Sequence, residues 1–131
     1  MKKTLLIFSL FPLLFFANSE SAYSETLKQS MDGGMEIEII HPDSVLIDRK
    51  FSISFLIQNN GWESKQDILF QIETPDNIFV PVTQEKIEIK ELSESSSFGI
   101  TLDYVVHQDA TEGTHFINID YSQVLLSNNV D

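Results

Sequence analysis

The sequence predicts an all-β protein, an antiparallel β-sandwich of about seven strands behind an apolar N-terminal segment. Three observations carry that expectation. Apolar and polar residues alternate at period two through most of the chain after Gly34, the pattern of strands with one face in a core and one in water. Turn-forming residues interrupt the alternation at intervals of roughly 8–12 residues. Beyond the first apolar run, no window places apolar residues at i, i+3, i+4 and i+7, so no helix is expected.

The chain opens with Lys2 and Lys3, continues through the apolar run Leu5 to Phe16, and passes into the small residues of "ANSESA". A positive end, a short apolar stretch and a small-residue site in that order read as a secretory signal. The run is shorter than the ~20 apolar residues a spanning helix needs, and Pro12 lies inside it. Residues 1–22 are therefore expected to be a signal peptide, with cleavage after Ser19 or Ala22. An uncleaved N-terminal anchor is the alternative. The mature protein is expected to be exported (periplasmic, cell-envelope or extracellular) and not inserted in a membrane. Residues 23–34, polar and ending in Gly33-Gly34, read as a flexible lead-in. The sandwich is expected over 35–126 and a short tail over 127–131.

Within the sandwich, Met35, Ile37 and Ile39 alternate with Glu36 and Glu38 up to Pro42. Val45 to Ile47 is a short continuation, and Asp48-Arg49-Lys50 turns the chain. Phe51, Ile53, Phe55 and Ile57 define the next strand, and Ile68, Phe70 and Ile72 the one after Asn59-Asn60-Gly61-Trp62. Thr74-Pro75-Asp76-Asn77 is a turn. Ile78 to Val80 suits a short edge strand, because Pro81 cannot donate to a central ladder. Ile87 and Ile89, then Phe98 through Val106, then Ile117, Ile119 and Tyr121 complete the set, separated by Ser93–Ser96 and by the loop from His107 to Gly113.

Charge and composition exclude several classes of function. The 131 residues carry a formal net charge of -12; losing Lys2, Lys3 and Glu20 with the signal would take it to about -13. So acidic a surface repels phosphate backbones and anionic lipid heads, so no nucleic-acid partner is expected. With no cysteine there is no disulfide framework, thiolate-ligated metal site or thiol nucleophile.

"VLIDRKFSISFLIQNNGWESKQDILFQIETP" resembles the opening of exported immunoglobulin-like modules of bacteria and archaea. These are the cell-adhesion-related (CARDB-type) domains and the Ig-like domains associated with carbohydrate-active enzymes. Asn59, Gly61 and Pro75 match their Asn-x-Gly turn and closing polar-Pro turn. "IEIKELSESSSFGITLDYVV", with Leu92 before a serine-rich turn, is similar to their middle pair. "DATEGTHFINIDY", with Ala110 and Gly113, resembles their closing pattern. The resemblance covers about Ile37 to Tyr121 and implies an immunoglobulin-like sandwich that serves as a spacer or binding module. It implies no catalytic residue.

The residues themselves offer little chemistry. No G-x-S-x-G elbow surrounds any serine, and Ser64 lies in a turn. The carboxylates are too numerous for any pair to stand out as a glycosidase dyad. His107 and His115 bracket one loop with Asp109 and Glu112, a borderline metal set against the simpler reading of solvated loop edges. The chain is expected to be non-enzymatic, with no cofactor, catalytic residue or metal ligand assigned. Asn59, Asn60 and Gly61 read as residues tolerating positive φ in a reversal. If the flanking strands form a hairpin, Ile57 pairs with Ile68 and Leu56 faces Leu69 on the outer side, with Trp62 just beyond. Leu56, Trp62 and Leu69 are thus the candidate contact residues for an unidentified protein or cell-surface polymer. Alternatively the lead-in, or Trp62 folding back, covers the leucines. An envelope subunit assembling by edge-strand pairing is a second functional reading.

Overall fold

The computed structural model describes residues 2–7, 11–15 and 24–125. They form an all-β sandwich of two sheets, as the period-two pattern predicts. Eleven strands are described: β1 (Lys2–Ile7), β2 (Phe11–Phe15), β3 (Ser24–Met31), β4 (Met35–Pro42), β5 (Ser44–Val45), β6 (Lys50–Asn59), β7 (Lys65–Glu73), β8 (Phe79–Pro81), β9 (Lys86–Leu92), β10 (Ser97–Val106) and β11 (Gly113–Leu125). One sheet runs β5-β2-β11-β7-β9, with β1 also on β11; the other runs β3-β4-β6-β10-β8. All pairings are antiparallel except β2 with β5. Among the described residues no helix is long and apolar enough to cross a membrane.

Alternation produces the layers directly. Side chains at i and i+2 share a strand face, so Ile37 and Ile39, Ile53, Phe55 and Ile57, Ile68, Phe70 and Ile72, and Ile117, Ile119 and Tyr121 turn inward and are buried. Each such fully buried side chain contributes about 1.5–3 kcal/mol, which is what holds together a domain without disulfides. Aromatic rings anchor the core. Phe51 stacks on Tyr104 at 5.5 Å and meets Phe79 edge-on at 5.2 Å. Phe70 lies 5.0 Å from Tyr121, whose hydroxyl points across the sandwich to Met35 Sδ at 3.9 Å.

The described strands outnumber the expected seven, and one pairing expectation is overturned. Ser24 to Met31, expected within a flexible lead-in, pairs along its whole length with β4. Only the end of that segment turns, at Gly33 and Gly34 with φ of 79° and 81°. In the segment expected as a signal peptide, Lys2–Ile7 and Phe11–Phe15 are strands on β11. These three strands raise the count above the expected seven, and β11 continues past Tyr121 to Leu125; the expected tail over 127–131 lies outside the described residues. The overturned expectation bears on function: β6 and β7 do not form a hairpin. β6 pairs with β4 and β10, whereas β7 pairs with β9 and β11. The chain crosses between sheets at Asn60 to Ser64. Sheets pack ~10 Å apart, a gap that five residues span easily at ~3.3 Å each.

A cysteine-free chain permits a direct test of this arrangement. Ser54 and Thr101 are register partners whose hydroxyls lie 3.0 Å apart. We expect Ser54→Cys with Thr101→Cys to close a disulfide on mild oxidation, and Leu56→Cys with Leu69→Cys to stay reduced. Intact mass after thiol alkylation reads both. A Leu56–Leu69 crosslink would restore the hairpin.

Candidate functional site

The crossing from β6 to β7 begins at Asn59, a fully buried polar residue. A buried amide is costly unless its donors and acceptor are all paired, and here they are. Nδ2 donates to the carbonyls of Glu63 at 2.8 Å and Leu92 at 2.9 Å, and Oδ1 accepts from the Gly61 N–H at 3.0 Å. The Asn59 main chain accepts from Ser95 N and donates to Ser96 O. One side chain thus joins the end of β6, the following loop and the end of β9 in the opposite sheet.

A second turn locks onto the first. Asn60 N donates to Gly34 O at 2.9 Å, and the two glycine segments meet backbone to backbone. A Cβ on Gly34 would stand 2.7 Å from Gly61 Cα, and one on Gly61 would collide with the Gly33 carbonyl oxygen. Gly61 is therefore required for close approach, not for positive φ. Neither it nor Asn59 nor Asn60 has a positive φ, which corrects the expectation drawn from their residue types.

On this braced loop stands Trp62, 92% exposed. Gly33, Gly34, Asn60, Gly61, Glu63 and Lys65 line an open groove beside it. The candidate contact residues are not brought together. Leu56 lies on the outer face of one sheet, opposite Gly99 and Glu38, where it reaches over the space that Gly99 leaves (a Cβ there would be 3.8 Å from Leu56 Cδ1). Leu69 lies on the outer face of the other sheet, opposite Glu88 and Ser122. Both are half-buried, and the exposed Trp62 does not fold back over them. The joint Leu56–Trp62–Leu69 patch is overturned, because it depended on the absent hairpin.

The remaining candidate groups are engaged elsewhere. Ser64 Oγ donates to Glu91 at 3.1 Å, a carboxylate contact in an exposed setting. His107 Nδ1 accepts from the Asp109 N–H, His115 Nε2 contacts Thr111 O, and the His115 ring meets Phe79 edge-on. Among the described residues no group of three or more His, Asp or Glu side chains is placed to hold a metal ion.

A polar clasp that sequence reasoning missed joins the two sheets away from Trp62. Glu85, just before β9, accepts from Thr74 Oγ1 at 2.8 Å and from the Tyr104 hydroxyl at 3.3 Å. Burial raises the Glu85 carboxyl above its ordinary value, against the lowering effect of those two hydrogen bonds and helped by Asp76 and Glu73. Burial, then the charge and hydrogen bond of Glu85, raise Tyr104. Nothing in the local pattern around Glu85 distinguishes it from the other exposed-phase carboxylates.

Compared with known proteins, the chain matches no family model, no curated protein and no solved structure. The class that fold and site define is an all-β sandwich presenting one exposed tryptophan on a braced turn.

Asn59→Asp replaces two donors with an acceptor facing the Glu63 and Leu92 carbonyls; we expect a loss of about 3 kcal/mol or more in urea unfolding. An Asn59→Asp stability within experimental error of the parent would contradict the bracing role. For Glu85 the sign follows from linkage. A carboxyl raised in the folded state favours the protonated form, so its contribution is present below the ordinary value of 4.5 and is lost as pH rises through the raised folded value. Relative to Glu85→Gln, the parent protein should lose melting temperature over that rise. The opposite slope would mean that the Thr74 and Tyr104 hydrogen bonds outweigh burial.

Proposed function

We propose that this chain is a non-enzymatic, exported, immunoglobulin-like binding module that acts by contact with a protein or a surface polymer. The observation that carries the reading is Trp62. Tryptophan is enriched among the residues that anchor interfaces, and a large apolar ring held 92% exposed gains most from being covered. Its loop is braced by Asn59 and by the Gly34–Gly61 contact, so little conformational entropy remains to be lost on binding. Glu63 and Lys65 beside it supply polar rim contacts of both signs.

Several observations support the wider reading. The lysine-led apolar segment before Ala17 and the absence of cysteine suit an exported chain that relies on its core. The two-sheet sandwich suits the immunoglobulin-like type that the Asn59, Gly61 and Pro75 turn pattern resembles. The strongly acidic surface favours solubility and partners that are neutral or basic.

Trp62 is the only tryptophan, so it reports on its own site. Purified cell-surface polysaccharide should shift its emission to shorter wavelength if the partner is a polymer, whereas saturable capture from envelope protein extract without that shift identifies a protein partner. In either case Trp62→Ala should weaken capture at least tenfold, and Leu56→Asp with Leu69→Asp should have little effect. Capture unchanged by Trp62→Ala would remove this site from the proposal.

A further inference from the structure

The edges of the two sheets are treated differently. β9 shows Lys86, Glu88, Lys90 and Glu91 to solvent, charges that discourage another strand from pairing. β8 is three residues long and ends at Pro81, which has no main-chain donor. β3 exposes Ser24, Glu25, Thr26, Lys28 and Ser30. Between Gly113 and Tyr121, β11 carries a single carboxylate, Asp120, and no lysine or proline. β11 buries Ile117, Ile119 and Tyr121, and on the side away from β7 it receives the most apolar stretch of the chain. β2 pairs with it from Gly113↔Phe15 to Ile117↔Phe11, and β1 from Asp120↔Ile7 to Leu125↔Lys2. The two pieces run antiparallel to β11 in the same direction and fill nearly its full length. The register sets Leu6 opposite Tyr121 and Phe11 opposite Ile117.

This occupant is the same segment that the sequence marks for removal on export. We propose that the outer edge of β11 is a strand-acceptor site, held by Lys2–Ile7 and Phe11–Phe15 in the precursor and taken after export by an extended segment of a partner protein. The partner segment is apolar along its length, carries basic residues at the end that meets Leu125, and runs antiparallel to β11. The inference rests on the reading of the chain as an exported binding module and names the chemistry of one partner contact. Main-chain pairing supplies affinity in such strand addition, and side chains at alternate positions supply selectivity. The formal charge of -12 favours a basic-ended strand over an acidic one during encounter. A strand that leaves this edge exposes the inward-facing row of β11 at its margin and removes the pairing partner of β5, so the vacated edge is the place on the sandwich where an added strand restores most.

The test uses the full chain produced in an exporting bacterial host and purified from outside the cytoplasm. Intact mass gives its N-terminus. A fluorescent synthetic peptide reproducing Lys2–Phe15 is then titrated by anisotropy, and amide hydrogen exchange is followed over residues 113–125. The expected result is a processed chain without Lys2–Phe15 that binds the peptide saturably. Exchange along 113–125 should slow on binding, and a peptide carrying Leu6→Asp and Phe11→Asp should bind at least tenfold more weakly. An exported chain that retains Lys2–Phe15 overturns the proposal, as does a processed chain that ignores the peptide or binds both peptides alike. A processed chain that fills the edge by dimerising, seen as concentration-dependent sedimentation with 113–125 already protected, also overturns it. Peptide binding should survive Trp62→Ala, so failure at the β11 edge and failure at Trp62 are told apart.

Discussion

One amide organises the end of the sandwich from which the chain offers its exposed tryptophan. Asn59 sits where β6 must leave one sheet and enter the other, and a crossing there would ordinarily leave main-chain groups without partners. Its side chain supplies two donors and one acceptor to three of them, and its main chain closes the turn between β9 and β10. No apolar residue can do this, and aspartate has the wrong polarity. The glycine contact between Gly34 and Gly61 then brings the turn between β3 and β4 onto the same scaffold. Three connections that are distant in sequence share one support.

The two ends of the design differ in purpose. At the Asn59 end the buried amide uses both donors and its acceptor, and the Trp62 ring is left in water. Along β11, by contrast, the same sheet continues outward into β1 and β2, drawn from the most apolar stretch of the sequence. The Glu85 clasp fastens Tyr104 of one sheet to the strand connection of the other. Its carboxylate is kept by its donors in a place that burial alone would disfavour.

Much of this was legible in the residues because strand side chains alternate strictly. Ile37, Ile53, Phe55, Phe70, Ile87, Leu102 and Ile119 all sit on the phase that the pattern assigns to a core, and all are buried. β3 escaped notice because an edge strand at the margin needs little apolar content; in Ser24–Met31 only Met31 is buried. The partners of β6 and β7 are hidden from the sequence for a different reason. A short polar connection serves a hairpin and a sheet-to-sheet crossing equally well, and alternation says which face is inside, not which neighbour lies alongside. A hairpin would set Leu56 beside Leu69, whereas the two belong to opposite outer faces. Trp62 was visible as a lone aromatic among turn residues. The meeting of Gly33-Gly34 with Gly61 was not, since a contact between two distant turns leaves no local periodicity.

The pairing of Lys2 with Leu125 also has a kinetic side. Contacts between residues so far apart in the chain form only after shorter closures have reduced the entropy of the intervening segment. β11 is the last of the described strands to leave the ribosome, and until it arrives β7 has β9 alone for a ladder. Closure of the sheet that holds Phe70 and Ile72 therefore waits for β11. Non-local β topologies of this kind fold slowly, and a long stretch of chain separates Lys2–Ile7 from the strand it pairs with.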